Sequence, residues 1–376
     1  MQFKDIIGQQ KIKNRLIKSV NNNKVSHAQL FFGAEGVGKL PIAIAYAQYI
    51  NCTNKTDTDS CGECSSCKKY EKLVHPDLHF VFPVVKIGSK EVVSDDHIEE
   101  WREFVTKNTY FTYNQWIERL ENENKKGGIF VHESKNILKK INLTTYESEY
   151  KVMIFWLAEK MNIQTANKLL KIIEEPPVKT LFILISENTE AIITTIKSRT
   201  QPIKIPKIDN KSLKNYLQQK SLITNTEEIN TALKFSNGSL TALNKYINET
   251  DENTELFDFF VRFMRTCYKF SIDEINTLTS EFTRLKREKQ KRFFKLSLRL
   301  IRENFMLNTN NNNLSVLTVQ EQNFAKKFSN FIHQGIVEDL YSELNKAHYD
   351  IDRNGSDKII FYDTAIKINK LLRKKF

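Results

Sequence analysis

The sequence predicts an α/β nucleoside-triphosphatase-like domain with a parallel sheet over residues 1–206, followed by all-α domains to residue 376. Three observations predict it. A phosphate-loop pattern, Gly33-Ala-Glu-Gly36-Val-Gly38-Lys39-Leu40, stands between a short apolar run at 28–32 and a helical pattern at 40–50. Near-continuous apolar runs at 151–158 and 180–186 have the character of strands covered on both faces. Beyond residue 206 the apolar residues recur only at helical spacing.

Taken in order, the chain opens with a helical pattern (Ile12, Leu16, Val20) and then the strand that feeds the loop. In a complete loop, backbone N–H groups and a helix N-terminus cradle phosphates, Lys supplies charge, and a final Ser or Thr oxygen holds Mg2+. Leu40 stands at that last position, and a hydrocarbon ligates no cation. Gly33, Gly36, Gly38 and Lys39 are therefore the candidate phosphate-binding residues of a degenerate loop, in which ATP is expected to be held poorly and the Mg2+ site to be lost.

Four of the five cysteines, Cys52, Cys61, Cys64 and Cys67, follow the first helix. The two-residue spacing of Cys61-x-x-Cys64-x-x-Cys67 lets thiolates converge on one tetrahedral ion, and Zn2+ is the natural occupant. Four protein ligands leave no open position for water, so the metal would be structural. Nothing marks the chain as secreted, which disfavours a disulfide framework. His75 and His79 are not needed to complete the site, and Cys267, alone in an apolar helical segment, is expected to be a packing residue.

Residues 80–128 mix charges with Trp101, Phe104, Tyr110, Phe111, Tyr113 and Trp116, and are expected to form a helical excursion or flap outside the central sheet. A helix is predicted at 130–141. Another, at 163–175, stops at Pro176-Pro177, because proline excludes the helical conformation of its predecessor. A helix reaching Lys197 and a last strand at 203–205 complete the domain. A hinge at 206–209, a small helical unit at 210–247 and a polar linker at 248–253 follow. The remainder is a packed helical domain, from the sets Phe324, Phe328, Phe331, Ile332, Ile336, Leu340 and Ile359, Ile366, Leu371, with an asparagine loop at 308–313.

The formal charge is +12, with 27% charged residues of both signs, which is not the profile of a basic tail. The richest basic stretch, residues 284–295, carries Phe293, Leu296, Leu300 and Ile301 at helical spacing and reads as the solvated face of a packed helix. No apolar run approaches the ~20 residues of a membrane helix, and the first residues contain no apolar signal region. A cytoplasmic protein without membrane partners is expected.

Ile6-Ile-Gly-Gln9, the phosphate loop, the four cysteines, Ala166-Asn-Lys-Leu-Leu-Lys-Ile-Ile-Glu-Glu-Pro-Pro177 and Ser198-Arg199-Thr200 together resemble the bacterial clamp-loader ATPase-like subunits of DNA polymerase III, of the gamma/tau and delta prime type, and most closely delta prime. The resemblance implies an AAA+ domain over 1–206 with a zinc module at 52–67 and an insertion at about 80–128. It further implies a helical lid at 207–250 and an oligomerising collar at 251–376, where Arg353-Asn354 resembles a collar motif. The family's paired acids would align with Trp156 and Leu157, so both are gone, and one carboxylate at Glu159 leaves a metal with too few hard ligands. Gly238-Ser239-Leu240-Thr241 resembles the sensor-two segment without its arginine. Arg199, by resemblance, reaches across a subunit interface to a phosphate held by a neighbour. Its planar, always-charged fork suits that task.

The function so implied is that of a non-hydrolysing delta prime-like subunit. Its partners would be gamma/tau and delta subunits, with the sliding clamp and primed DNA engaged through the complex. An active gamma-type ATPase is the alternative. A stand-alone zinc-containing DNA-binding protein fits less well, because the cysteines lie inside the nucleotide fold without a base-reading helix.

Overall fold

Five parallel strands, β1 (Ala28–Phe32), β2 (Leu78–Val81), β3 (Lys151–Phe155), β4 (Thr180–Ser186) and β5 (Gln201–Lys204), form one sheet in the order β2-β3-β4-β1-β5. This is a computed structural model, and it describes residues 1–86, 91–120, 127–223, 225–248, 250–308 and 316–373. β1 lies inside the sheet, with Leu30 opposite Leu184 on one side and Pro202 on the other. Proline is tolerated in β5 because that strand is at an edge and needs no ladder donor on its outer side. The chain leaves β1 at its carboxyl end, where open α/β sheets place their ligand crevices.

Helices α1 (Gln10–Asn21), α2 (Lys39–Ile50), α3 (Ser65–Glu71), α4 (Ile98–Lys107), α5 (Tyr113–Arg119), α6 (Val131–Asn142), α7 (Ile163–Glu174) and α8 (Thr194–Lys197) accompany the sheet. Every residue of α2 is buried, as an all-round apolar sequence requires. At the start of α7 the Asn162 side chain accepts the Thr165 N–H at 2.7 Å, satisfying an orphan donor of the first turn.

β2 escapes detection in the sequence because Leu-His-Phe-Val is short and follows the polar His75-Pro-Asp77, yet Phe80 and Val81 pair with Ile154 and Phe155. Residues 82–120 carry α4 and α5 outside the central sheet and pack into the body. Phe82, Trp101, Phe111 and Trp116 are buried in the same apolar core as α1 and α2. Phe82 stacks on Trp101 at 4.2 Å, and Trp116 meets both rings edge-on at 5.3 and 5.0 Å. The Trp116 indole also donates to the Pro83 carbonyl at 2.8 Å, so its one polar atom is satisfied. A second tie holds the insertion in place, since the buried Glu133 carboxylate on α6 accepts both the N–H and the hydroxyl of Ser94.

β3 is shorter than its apolar run suggests, because Leu157 adopts a left-handed backbone (φ 56°) and turns the chain into a 3-10 turn at Ala158–Lys160. α9 (Asn210–Gln219), α10 (Thr226–Ser236) and α11 (Leu240–Asn248) are the small helices beyond the sheet. The chain gathers into two units, residues 1–224 with 236–244, and residues 225–235 with 245–376.

The second unit is all-α. Its long helices are α12 (Thr250–Lys269), α13 (Ile272–Thr283), α14 (Arg287–Asn308), α15 (Val319–Phe328), α16 (Gln334–Asp352) and α17 (Asp357–Leu372). Phenylalanines dominate its core, with Phe282 stacked on Phe361 at 4.3 Å and Phe259 edge-on to Phe293 at 5.2 Å. The polar linker expected at 248–253 is instead largely the start of α12, where Glu252 pairs with Arg292 at 2.5 Å. Residues 309–313 of the expected asparagine loop lie outside the described residues.

Two members of the periodic sets face outward, Phe331 at 40% exposure and Ile359 at 69%. The basic stretch does behave as a solvated face. Lys289 pairs with Glu255, Lys291 with Glu288 and Asp352, and Arg287 donates to the carbonyls of Ile351 and Gly355 where α16 ends. Among the described residues no helix is long and apolar enough to cross a membrane.

All three tryptophans of the chain belong to the aromatic cluster of the first unit, so their fluorescence reports that unit. Phe82→Ala is expected to lower its stability by about 3–5 kcal/mol, the cost of deleting a fully packed aromatic. Urea unfolding followed by tryptophan emission checks this, and an unchanged midpoint refutes a core role for the insertion.

Candidate nucleotide cradle and metal module

The loop between β1 and α2 has the backbone of a phosphate cradle. Gly36 and Gly38 take left-handed conformations (φ 74° and 93°), and Gly38 is the N-cap of α2, so the helix start faces the loop. What differs is the space above it. The cavity at Gly36, Gly38, Lys39 and Leu40 is open to solvent and offers only about 30 Å3.

Two segments fill it. From the insertion, the ring of Tyr110 lies so near Gly38 that a Cβ there would be 3.2 Å from the ring, and the Tyr110 hydroxyl accepts the Ile7 N–H at 3.2 Å. From the other side, a Cβ on Gly36 would lie 2.2 Å from Ser239 Oγ and 2.3 Å from Thr241 Oγ1. The Leu240 N–H donates to the Gly36 carbonyl at 2.9 Å, tying the expected sensor-two segment directly to the loop. Sequence reasoning assigned Tyr110 no role at the cradle, whereas Ser239 and Thr241 lie in the segment it singled out by resemblance to sensor two. For Tyr110 the available signal was the density of aromatics at 101–116, more than a solvent-exposed flap would carry.

Lys39 is turned inward. Its ammonium donates to the carbonyls of Gly33 and Ala34 at 3.0 and 2.5 Å and pairs with Glu187 at 3.3 Å. Burial lowers its pKa, with Glu187 opposing that shift. Burial also raises the pKa of Glu187, offset by Lys39 and reinforced by Glu35 and Glu159. The lysine is thus matched to an internal carboxylate in place of a phosphate.

Two acids follow neighbouring strands, Glu159 after β3 and Glu187 after β4, and both are engaged within the fold. Leu40 is buried in the expected hydroxyl position. Trp156 and Leu157 are buried too, and the Trp156 indole packs 5.2 Å from Trp101 and 4.9 Å from Phe111. Glu159 serves as a brace, its Oε1 accepting the N–H groups of Glu187 at 2.9 Å and Asn188 at 3.3 Å beyond the end of β4.

Arg199 is not among the residues lining this cavity. It lies between α8 and β5, about one-third exposed, with Nε donating to Glu174 Oε2 at 2.6 Å and Nη1 to the Thr195 carbonyl at 3.2 Å. Such a half-exposed pair is worth about 0–1 kcal/mol, so a doubly charged phosphate could displace Glu174 at small cost. Thr200, beside it, is buried and bonds back to the Ile196 and Lys197 carbonyls of α8.

The four cysteines converge. Their sulfurs all lie within 4.8 Å of one another, with Cys52 and Cys61 Sγ at 3.5 Å and Cys61 and Cys67 Sγ at 3.9 Å, and none is in a disulfide. A tetrahedron of sulfurs at a Zn–S length of about 2.3 Å has edges of about 3.8 Å, so the donor set fits zinc. Backbone N–H groups of Cys61, Cys64 and Cys67 donate to the sulfurs of Cys52, Cys61 and Cys64, which favours thiolates over thiols. The module also fastens the start of the chain, because the Asp59 carboxylate accepts the N–H groups of Phe3 and Lys4 at 3.0 and 2.9 Å.

Freshly purified protein is expected to contain about one zinc per chain, on the four-thiolate rule. Cys64→Ser should release it and open the segment around residues 52–67 to proteases. Elemental analysis finding no zinc in the unaltered protein would overturn the assignment.

Comparison with known proteins places this geometry. A family model described as DNA polymerase III, delta subunit, matches residues 8–209, more than half of the chain. DNA polymerase III subunit delta' of Bacillus subtilis is 28% identical over 209 residues, 56% of this chain and 51% of that protein. DNA polymerase III subunit gamma of Buchnera aphidicola subsp. Acyrthosiphon pisum is also 28% identical, over 242 residues, 63% of this chain and 55% of that protein. The chain thus spans about half the length of these relatives. Among solved structures, a DNA polymerase III gamma subunit-related protein of Thermotoga maritima aligns over 97% of this chain and 100% of its own, at 11% identity and a TM-score of 0.40. The chain belongs to the DNA polymerase III, delta subunit, family.

Proposed function

We propose that this chain is a delta prime-type subunit of a DNA polymerase III clamp loader, a stator that holds no nucleotide of its own and supplies Arg199 to the ATP site of a neighbour. The observation that carries it is the filled cradle: about 30 Å3 above the loop, with Tyr110 on one side and Ser239 and Thr241 on the other. The internal pairing of Lys39 with Glu187 supports the same reading. So do Leu40, Trp156 and Leu157, which take the positions where a hydroxyl and two acids would hold Mg2+.

In this proposal the complex works in the cytoplasm with gamma/tau and delta subunits, opening the sliding clamp and placing it on primed DNA. Residues 1–206 are the AAA+ domain, 207–250 the lid and 251–376 the collar. At the neighbour's site, water attacks the terminal phosphorus as the bond to the bridging oxygen breaks, and the guanidinium of Arg199 stabilises the charge spread over the equatorial oxygens. The residue can leave its own surface because only Glu174 and one carbonyl hold it.

An active gamma-type ATPase is the second reading. It is favoured by the equal 28% identity to a gamma subunit and by a loop complete through Lys39. The two separate in the purified chain with Mg2+-ATP. A stator shows no turnover and no change on Lys39→Ala, whereas turnover abolished by Lys39→Ala establishes the gamma-type reading.

In the reconstituted complex, Arg199→Ala is expected to leave this chain folded and to lower ATP hydrolysis at the affected interface by ~10³-fold, the usual worth of an arginine supplied in trans. An unaltered rate removes that role. Tyr110→Ala should enlarge the cavity enough to admit a fluorescent ATP analogue without restoring hydrolysis, since it returns no metal ligand. Tight analogue binding by the unaltered chain would show that the cradle is not closed.

A further inference from the structure

The outward-facing Phe331 belongs to an open groove of about 640 Å3 in the helical unit, between α12, α15 and the end of α17. Its floor is apolar, with Phe257, Met264 and Phe328 buried, and Val261, Phe324 and Leu372 partly so. Tyr268 and Phe331, at 49% and 40% exposure, meet in a T-shaped contact at 5.2 Å along one wall. Two adjoining aromatics left in water on the wall of an apolar groove mark an interaction surface.

The rim has a sign. Arg265, Lys269 and Lys327 line the groove and are exposed, and among the described residues none of the three is in an ion pair. Several other basic side chains of the unit are paired, Arg262 with Glu281, Lys289 with Glu255, Arg299 with Glu321 and Lys367 with Glu343 and Asp363. One acid, Asp258, shares the rim. The net effect is an apolar slot edged by uncompensated positive charge.

We propose that this groove docks an acidic, amphipathic segment of a partner protein, its apolar side chains on the phenylalanine floor and its carboxylates against Arg265, Lys269 and Lys327. A nucleic-acid strand suits the slot less well, because its floor is hydrocarbon below the level of the charges and Asp258 would face a phosphate. A second copy of this chain is disfavoured by its own charge of +12. The inference stands apart from the nucleotide cradle, which belongs to the other unit.

The test uses the full chain and a fluorescein-labelled synthetic 16-residue helix with Leu and Phe at i, i+4 and i+7 and mostly Glu elsewhere. Fluorescence anisotropy should show saturable binding on the order of 10–100 µM, as expected of a small groove, weakening as salt is raised. The double change Arg265→Glu with Lys327→Glu, and separately Phe331→Ser, should each weaken it about tenfold or more. Ile359→Ser, at an exposed apolar residue outside the groove, should leave it unchanged. All these positions are at the surface, and thermal melts confirm that the variants fold. The proposal is overturned by absence of binding, by equal binding of a peptide with Lys in place of Glu, or by variants that bind as the unaltered chain does. It is also overturned if a 15-nucleotide single strand displaces the peptide and loses affinity in the same variants, which would make the groove a nucleic-acid surface.

Discussion

Tyr110 rests against Gly38 at the first turn of α2 and accepts a backbone N–H from Ile7, so one phenol ties the insertion, the start of the chain and the phosphate loop together. That steric constraint links two features that look separate along the chain, Trp156 at the end of β3 and the aromatic insertion. A carboxylate at position 156 would have to stand against Trp101 and Phe111, and an unpaired charge in such surroundings costs several kcal/mol. An indole there gains packing energy instead and belongs to the aromatic core.

Charge follows the same logic. A buried lysine must find acceptors within the fold, and Lys39 finds two carbonyls and Glu187. Further ties converge on the loop from a distance. Gln9 donates to the carbonyls of Val37 and Pro206 at 3.1 and 2.7 Å, and Asp59 of the cysteine module holds the amides of Phe3 and Lys4 a few residues earlier. The cysteine module, the first nine residues and the loop are therefore one hydrogen-bonded framework.

Arg199 contrasts with Lys39 in the property that matters for a shared site. The lysine is 5% exposed and fully engaged within the fold, whereas the arginine is 32% exposed, with one side-chain partner that is itself half in water. Moving Lys39 toward a new ligand would break an internal ion pair and leave the partly buried Glu187 without its countercharge. Moving Arg199 exchanges one carboxylate for another anion. Of the two cations singled out by motif, the second is the more exposed and the less tightly held.

Local pattern carried much of this protein. The glycines and Lys39 lie beside one another in the chain, the cysteine spacing is a property of one short segment, and β1, β4 and α7 are marked by apolar periodicity and by Pro176-Pro177, all of which act over a few residues. β2 left too little pattern, since four residues interrupted by a half-buried histidine cannot be told from a loop until β3 supplies a partner. The state of the cradle was likewise beyond reach of pattern. Tyr110 and Gly38, and Ser239 and Gly36, are brought together across long stretches of chain by packing, and no periodicity encodes which side chain will fill a given space. Residue types along the chain define the chemistry available to a loop, but whether that loop stays open depends on close packing among segments that meet only once the chain has folded.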